Sequence, residues 1–325
     1  MMIITKTPYR LSLFGGGTDY SDWYAYNKSK IISAAIDHHC FLSVKDLPPY
    51  FSYKYRISYS RLEAVNSIDD IDHPSVRNCL KHLDIEQSLT ITHDGEMPAK
   101  SGVGSSSAFT VGLLNALFHK KGFDLTPRDL AEKAIFVEQV LNHESVGIQD
   151  QITAAYGGIN LITAGLGSDW EVEPVKISDE YLKEMEDHIL LGFSGKSRIA
   201  EVQARKQVER IGKNKSYLNE ISDVANVGIR YIINEDEIEK VASMLKATWN
   251  FKKHLTDDLT NKKLDYIFDL SEKNGSLGGK LMGAGGGGFF VFVVPPEKQE
   301  KFKQALKCIK VWVPFKLSKG GSEVI

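Results

Sequence analysis

Cysteine is scarce in this chain. Cys40, Cys79 and Cys308 are the three among 325 residues, odd in number and far apart. Such spacing excludes a disulfide framework and a CxxC-type metal site, and it suits a reducing compartment, with the three read as buried thiols. Charge of one sign is also lacking: 40 basic against 42 acidic side chains leave a formal net charge of -2. No broad electrostatic footprint for nucleic acid or an anionic membrane follows from that balance, although a local basic pocket stays open. Long apolar runs are missing as well, since nothing approaches the roughly 18 residues of a membrane span. The opening "MMIITKTPYR" carries neither a signal-peptide core nor a transit-peptide pattern. The histidines show no metal-ligand spacing, and there is no internal repeat. The expectation is a soluble, cytoplasmic protein that binds neither nucleic acid nor membrane; a homodimer stays open.

What is present is a globular composition, 42% apolar and 25% charged, in a chain long enough for two domains at about 100 to 200 residues each. "IITKTPYRLSLF", "CFLSVK", "YRISYS" and "SLTITH" carry the β-branching or alternation of half-buried strands. A helix is predicted from Ser105 to about Lys120, stopped by Gly122, with Phe109, Leu113, Leu114, Leu117 and Phe118 at helical spacing. A second starts at "TPRD", with Thr126 as N-cap, Pro127 at the first position and Asp129 closing a capping-box-like spacing. The glycine- and acid-rich region 165–185 marks a boundary, dividing the chain into 1–175 and 176–325. Beyond it come "HILLGFSG", a charged amphipathic region from about Ile199 to Leu270, the run "GAGGGG" and the buried strand "FFVFVV". Mixed elements in both halves predict an α/β or α+β fold in two lobes.

Three glycine-rich places bear chemistry. In "PAKSGVGSSSA", Gly102 and Gly104 let the backbone turn close to an anion. The following helix start offers unpaired N–H groups and its positive dipole end, a combination suited to phosphate. On its own the segment also reads as a turn with a serine N-cap. Two better-known motifs fail: the "GKS" at Gly195 to Ser197 is not a P-loop ending, because the first glycine would fall at Leu190, and "GVGSSS" is not a Rossmann fingerprint, because Ser107 stands where the third glycine belongs. The second place is "PYRLSLFGGGTDY", and the third is "KLMGAGGGGFF", whose glycine run reads either as backbone passing close to something or as a tight turn between elements. Two carboxylates add to these: Glu138 in the second helix and Asp150 in the polar stretch Gly147–Gln151, where that helix has ended or been rebuilt; on their own they also read as a solvated face.

Together, "PYR…GGGTDY", "P…GVGSSSA", "GIQDQ" and "KLMGAGGGGF" resemble, in order and spacing, the small-molecule kinases named for galactokinase, homoserine kinase, mevalonate kinase and phosphomevalonate kinase. The resemblance implies an α+β protein with an N-terminal α/β lobe, a C-terminal ferredoxin-like lobe and the active site between them. It also implies ATP and Mg2+ as cofactors and a sugar phosphate as the other small-molecule partner. By the same mapping Asp150 sits at the acceptor hydroxyl and Arg10 faces it. Gly102, Val103, Gly104, Ser105, Ser106 and Ser107 cradle the ATP phosphates, and Ser106 and Glu138 hold magnesium. Asp19 holds sugar hydroxyls, with Gly16, Gly17, Thr18, Gly285 and Gly286 also assigned to substrate.

Galactokinases carry "GEHTDY" where this chain has "GGGTDY", so two galactose-contacting side chains are lost at Gly16 and Gly17 and space is expected in their place. The "FGGGTDY" form and "GFSGKSRIAEV" are similar to bacterial D-glycero-D-manno-heptose 7-phosphate kinases, which make the 1,7-bisphosphate for surface polysaccharide. That likeness brings in Lys196 and Arg198 for the 7-phosphate. Its rivals are an L-fucose or N-acetylhexosamine 1-kinase, a catalytically silent sugar and ATP sensor, and the decarboxylating branch of the superfamily.

Overall fold

The computed structural model describes residues 1–165, 169–195, 200–257, 259–283 and 285–325, with the backbone alone at 200–202. Twelve strands among these residues form two sheets. The strands are β1 (Met2–Phe14), β2 (Ser29–Asp46), β3 (Tyr55–Ser58), β4 (Leu62–Val65), β5 (Leu89–Gly95), β6 (Ile159–Ala164), β7 (Trp170–Pro174), β8 (Ile189–Phe193), β9 (Gly278–Leu281), β10 (Phe289–Val293), β11 (Val311–Pro314) and β12 (Glu323–Val324). The first sheet runs β12-β1-β2-β5-β3-β4, with β6 and β7 continuing from β2. The second runs β11-β8-β10-β9, all antiparallel. Numbered within the second lobe this is the order 4-1-3-2 of a βαββαβ unit, the ferredoxin-like arrangement.

The strand of "CFLSVK" extends much further back than its alternation indicated, because β2 spans 18 residues and bends from β5 to β6 as its partner. Its first half, "SKIISAAI", is almost wholly buried, so no alternation marks it. The predicted helix forms from Ser105 to Lys120, and its buried residues Leu113, Leu114 and Leu117 pack in the first lobe's core. Thr126 caps the second helix by accepting from the Asp129 amide at 3.1 Å. That helix is shorter than expected: after Ile135 it widens into a π-helical turn, Phe136–Leu141, and a new helix starts at Gln149. The amphipathic region resolves into the helices Ala200–Glu209, Lys215–Ile233, Ile238–Lys252 and Lys262–Lys273. A second apolar cluster joins the last three of these helices to β10, whose Phe290 and Phe292 are fully buried. The last residues return to the first lobe, where β12 pairs with β1. Cys40 and Cys79 are buried as expected, while Cys308 is half-buried. Among the described residues no helix is long and apolar enough to cross a membrane.

Candidate active site

The loop before the helix Ser105–Lys120 is built from left-handed backbone: Lys100, Gly102 and Gly104 have φ of 59°, 88° and 72°. Ser101 closes the turn by donating to the Pro98 carbonyl at 2.6 Å, and the buried Val103 anchors it, its carbonyl accepting from the Arg10 amide at 3.0 Å. Gly104 is the N-cap, and no side chain caps the helix. Its first-turn amides therefore keep free donors beside the dipole's positive end. Ser106 is exposed there, Ser105 is half-buried with its hydroxyl accepting from the Lys100 amide, and Ser107 is buried.

Arg10, on β1, is brought against this loop and against Asp150. Its Nε and Nη2 donate to the two Asp150 carboxylate oxygens at 2.6 and 2.7 Å, and its Nη1 donates to the Gly102 carbonyl at 2.5 Å. This bidentate fork fixes both partners in one plane. Three of the five guanidinium N–H groups are engaged, which leaves two for a phosphoryl group. Asp150 stands in the first turn of the helix Gln149–Tyr156 and keeps a quarter of its side chain exposed, with lone pairs left for an acceptor hydroxyl. A Cβ on Gly104 would come within 3.1 Å of Arg10 Cγ and 3.2 Å of an Asp150 carboxylate oxygen, so the loop has to be glycine to admit the pair.

Glu138 lies in the π-helical turn and is fully buried. Such a turn inserts an extra residue per turn and often marks functional sites. Here the glutamate meets Ser107, which donates to its Oε2 at 2.8 Å, and Gln151, which donates to the same oxygen at 2.5 Å. Its other oxygen, Oε1, has no hydrogen-bond partner among the described residues. Burial, followed by repulsion from Glu144, pushes its carboxyl up to about 8. An orphaned, desolvated carboxylate oxygen near the phosphate loop fits a cation ligand, and the exposed Ser106 hydroxyl is a second oxygen donor of the hard type Mg2+ prefers. The serine bonded to Glu138 is the neighbouring Ser107, so the two roles divide between adjacent residues.

Asp19 and Gln149 form a buried polar corner. Asp19 is 3% exposed; it accepts from the Gly17 amide and from Gln149 Nε2, both at 2.9 Å, and burial raises its pKa. A Cβ on Gly147 would overlap the Asp19 carboxylate. Thr18 is buried and spends its hydroxyl on the Gly15 carbonyl at 2.8 Å, holding the turn. The space expected at Gly16 is taken: a Cβ there would lie 2.9 Å from Ser12 Oγ and 3.3 Å from Gln149 Nε2. Gly17 is roomier, with Leu255 Cδ1 the one neighbour at 3.8 Å. Gln149 Oε1 is buried without a partner among the described residues, so this corner offers a polar atom left unsatisfied there.

The third glycine run serves the first. A Cβ on Gly102 would lie 2.8 Å from the Met282 carbonyl oxygen, one on Gly283 would lie 2.6 Å from Gly102 Cα, and one on Gly288 would overlap the Ser101 carbonyl. The second-lobe loop thus lies backbone to backbone on the phosphate loop. Gly285 and Gly286 are buried against Leu259, whose carbonyl accepts from the Gly286 amide at 3.1 Å. Lys196 and Arg198 lie outside the described residues. Three contributors were not marked in the sequence: Gln149, Lys252 and Lys280. Lys280 stands three residues before Gly283 of the glycine run and Lys252 ends an amphipathic helix, positions that ordinarily read as solvated charge.

Two family models match the chain, together over about half of it: the GHMP kinases N terminal domain at residues 74–158 and the GHMP kinases C terminal at 231–310. A D-glycero-alpha-D-manno-heptose 7-phosphate kinase of Campylobacter jejuni is 29% identical, covering 94% of this chain and 93% of that protein. A galactokinase of Thermotoga neapolitana is 23% identical over 93% and 92%. Among solved structures, a D-glycero-D-manno-heptose 1-phosphate kinase from Bacteroides thetaiotaomicron superposes with a TM-score of 0.81 at 23% identity, covering 99% of this chain and 98% of that one. Lactococcus lactis galactokinase, complexed with galactose, superposes with a TM-score of 0.75 at 16% identity, covering 99% and 95%. Carrying both matched domains and the two-lobed fold of these enzymes, the chain belongs to the GHMP kinase family of phosphotransferases.

Proposed function

We propose that the chain transfers the γ-phosphoryl group of ATP to the anomeric hydroxyl of D-glycero-D-manno-heptose 7-phosphate, giving the 1,7-bisphosphate. The observation that carries the reading is the Arg10–Asp150 fork clasped to the Gly102 carbonyl. It sets a carboxylate, a cation with spare donors and an uncapped helix start side by side. Phosphoryl transfer requires positioning and charge neutralisation more than covalent chemistry, and this inventory meets that need.

In the proposed reaction the loop amides of Gly102 to Ser107 bind phosphate oxygens. Asp150 orients the acceptor hydroxyl and takes up its proton as the new P–O bond forms. Arg10 holds Asp150 in place and faces the transferring group with its two remaining N–H donors. Ser106 and Glu138 would hold Mg2+, which neutralises charge on the phosphates. Asp19 and Gln149 receive the sugar hydroxyls, whose donors satisfy the unpartnered Gln149 Oε1 of that corner. Lys196 and Arg198 are assigned to the 7-phosphate by chemistry: Arg pairs with phosphate oxygens in a bidentate way and Lys acts as a point charge. The likeness to the Campylobacter heptose 7-phosphate kinase supports this choice of acceptor.

The test is ADP release measured against heptose 7-phosphate, unphosphorylated heptose, L-fucose, galactose and N-acetylhexosamines, with phosphorus NMR on the product. A new anomeric phosphate formed selectively on heptose 7-phosphate is the expected result. Preference for L-fucose or a free hexose would overturn the acceptor assignment.

A further inference from the structure

Two lysines of the second lobe are buried at the seam between the lobes. Lys280, on β9, is 1% exposed and donates to the Leu13 carbonyl of β1 at 2.8 Å. Lys252, at the end of its helix, is 6% exposed and donates to the Gly283 carbonyl at 2.7 Å. Neither makes a salt bridge among the described residues, and a buried ammonium held by a carbonyl is unusual. Gly283 is the residue that rests on Gly102, and the Gly102 carbonyl is the one that holds Arg10 to Asp150. A continuous line of contacts therefore runs from Lys252 through two glycine backbones to the reacting carboxylate.

We propose that Lys252 is a positioning residue for phosphoryl transfer: by holding the Gly283 carbonyl it seats the second-lobe loop on Gly102 and keeps Arg10 and Asp150 aligned with the nucleotide phosphates. This rests on the kinase reading above. The charged groups that face Lys252 are Asp19 in the turn after β1, Arg10 on β1, Asp150 at the start of its helix and Lys280 on β9. Burial lowers the Lys252 ammonium to about 8, against the partial support of Asp19. A base lowered in the folded state destabilises the fold while it is charged; that cost is present below about pH 8 and disappears as pH rises past the unfolded value. Gly283 is half-exposed, so water can replace the bond if the amine is removed.

The test is Lys252→Met, with Lys252→Arg beside it, in the full-length protein. At pH 7 the methionine variant is expected to melt at or above the wild-type temperature, with the gap closing as pH rises toward 10. Its affinity for a non-hydrolysable ATP analogue, read by calorimetry without any acceptor, is expected to fall roughly tenfold, with kcat falling at least as much. The arginine variant should recover part of kcat. Unaltered binding and turnover in Lys252→Met would overturn the role. So would a melting temperature that drops in step with activity, since that is the mark of a structural lysine. Failure of the wild-type chain to bind the analogue would overturn the kinase reading and this inference with it.

Discussion

The loop at residues 98–105 and the loop at 282–288 touch each other and are both rich in glycine, yet their glycines answer different demands. In the first, Gly104 adopts left-handed backbone where the chain turns into the helix and leaves room for Arg10 and Asp150, while Gly102, also left-handed, shares the backbone contact with the second loop at Met282. In the second, Gly283 and Gly288 are bare because another backbone, that of Ser101 and Gly102, lies where a side chain would be. One loop is shaped for chemistry and the other for contact with it. Substitutions in the first should therefore register chiefly in rate, and side chains forced between the two backbones in stability as well as in rate.

The largest expected effect is on the contact side. Gly288→Ala places a methyl on the Ser101 carbonyl at a φ of +107°, and it should cost roughly 2 to 4 kcal/mol of stability. Thermal and denaturant unfolding measure this; a loss below about 0.5 kcal/mol would erase the distinction between the loops. Next comes Asp150→Asn, which keeps shape and removes charge. It should lower kcat on the order of 10² or more with little change in ATP affinity, as steady-state kinetics would show. Gly104→Ala sharpens the comparison because it pushes on the same pair from the loop. A tenfold fall in kcat with about 1 kcal/mol of destabilisation is the expected split. An equal loss in both quantities from Gly104→Ala and Gly288→Ala would break the contrast. The smallest effect is Glu138→Gln, which should raise the magnesium concentration for half-maximal activity several-fold. A titration of activity against Mg2+ reads it, and an unchanged curve would leave Glu138 as a structural partner of Ser107 and Gln151.

Local signals were legible in the chain and carried through. Thr126, Pro127 and Asp129 announced a helix start that forms through the expected Thr126 cap. The helix after Ser105 follows from its apolar spacing and its glycine stop. The π-helical turn at Glu138 was not legible, because "FVEQVL" has ordinary helical spacing and the widening answers contacts with Ser107 and Gln151 that lie far off in sequence. The room expected at Gly16 was also misread, since the neighbours that fill it, Ser12 and Gln149, cannot be seen from the motif.

By itself the sequence determined the glycine- and serine-rich loop before Ser105 and the helix it opens, since turn chemistry, capping and helix dipoles act within a few residues. Only the tertiary structure decided which partners those residues take. The Arg10–Asp150 fork joins residues 140 apart, Lys280 reaches Leu13 across 267, and the second glycine loop earns its composition from the backbone of the first. Burial and backbone contact at such separations depend on how two sheets and their helices pack, and no short stretch of the chain encodes that by itself.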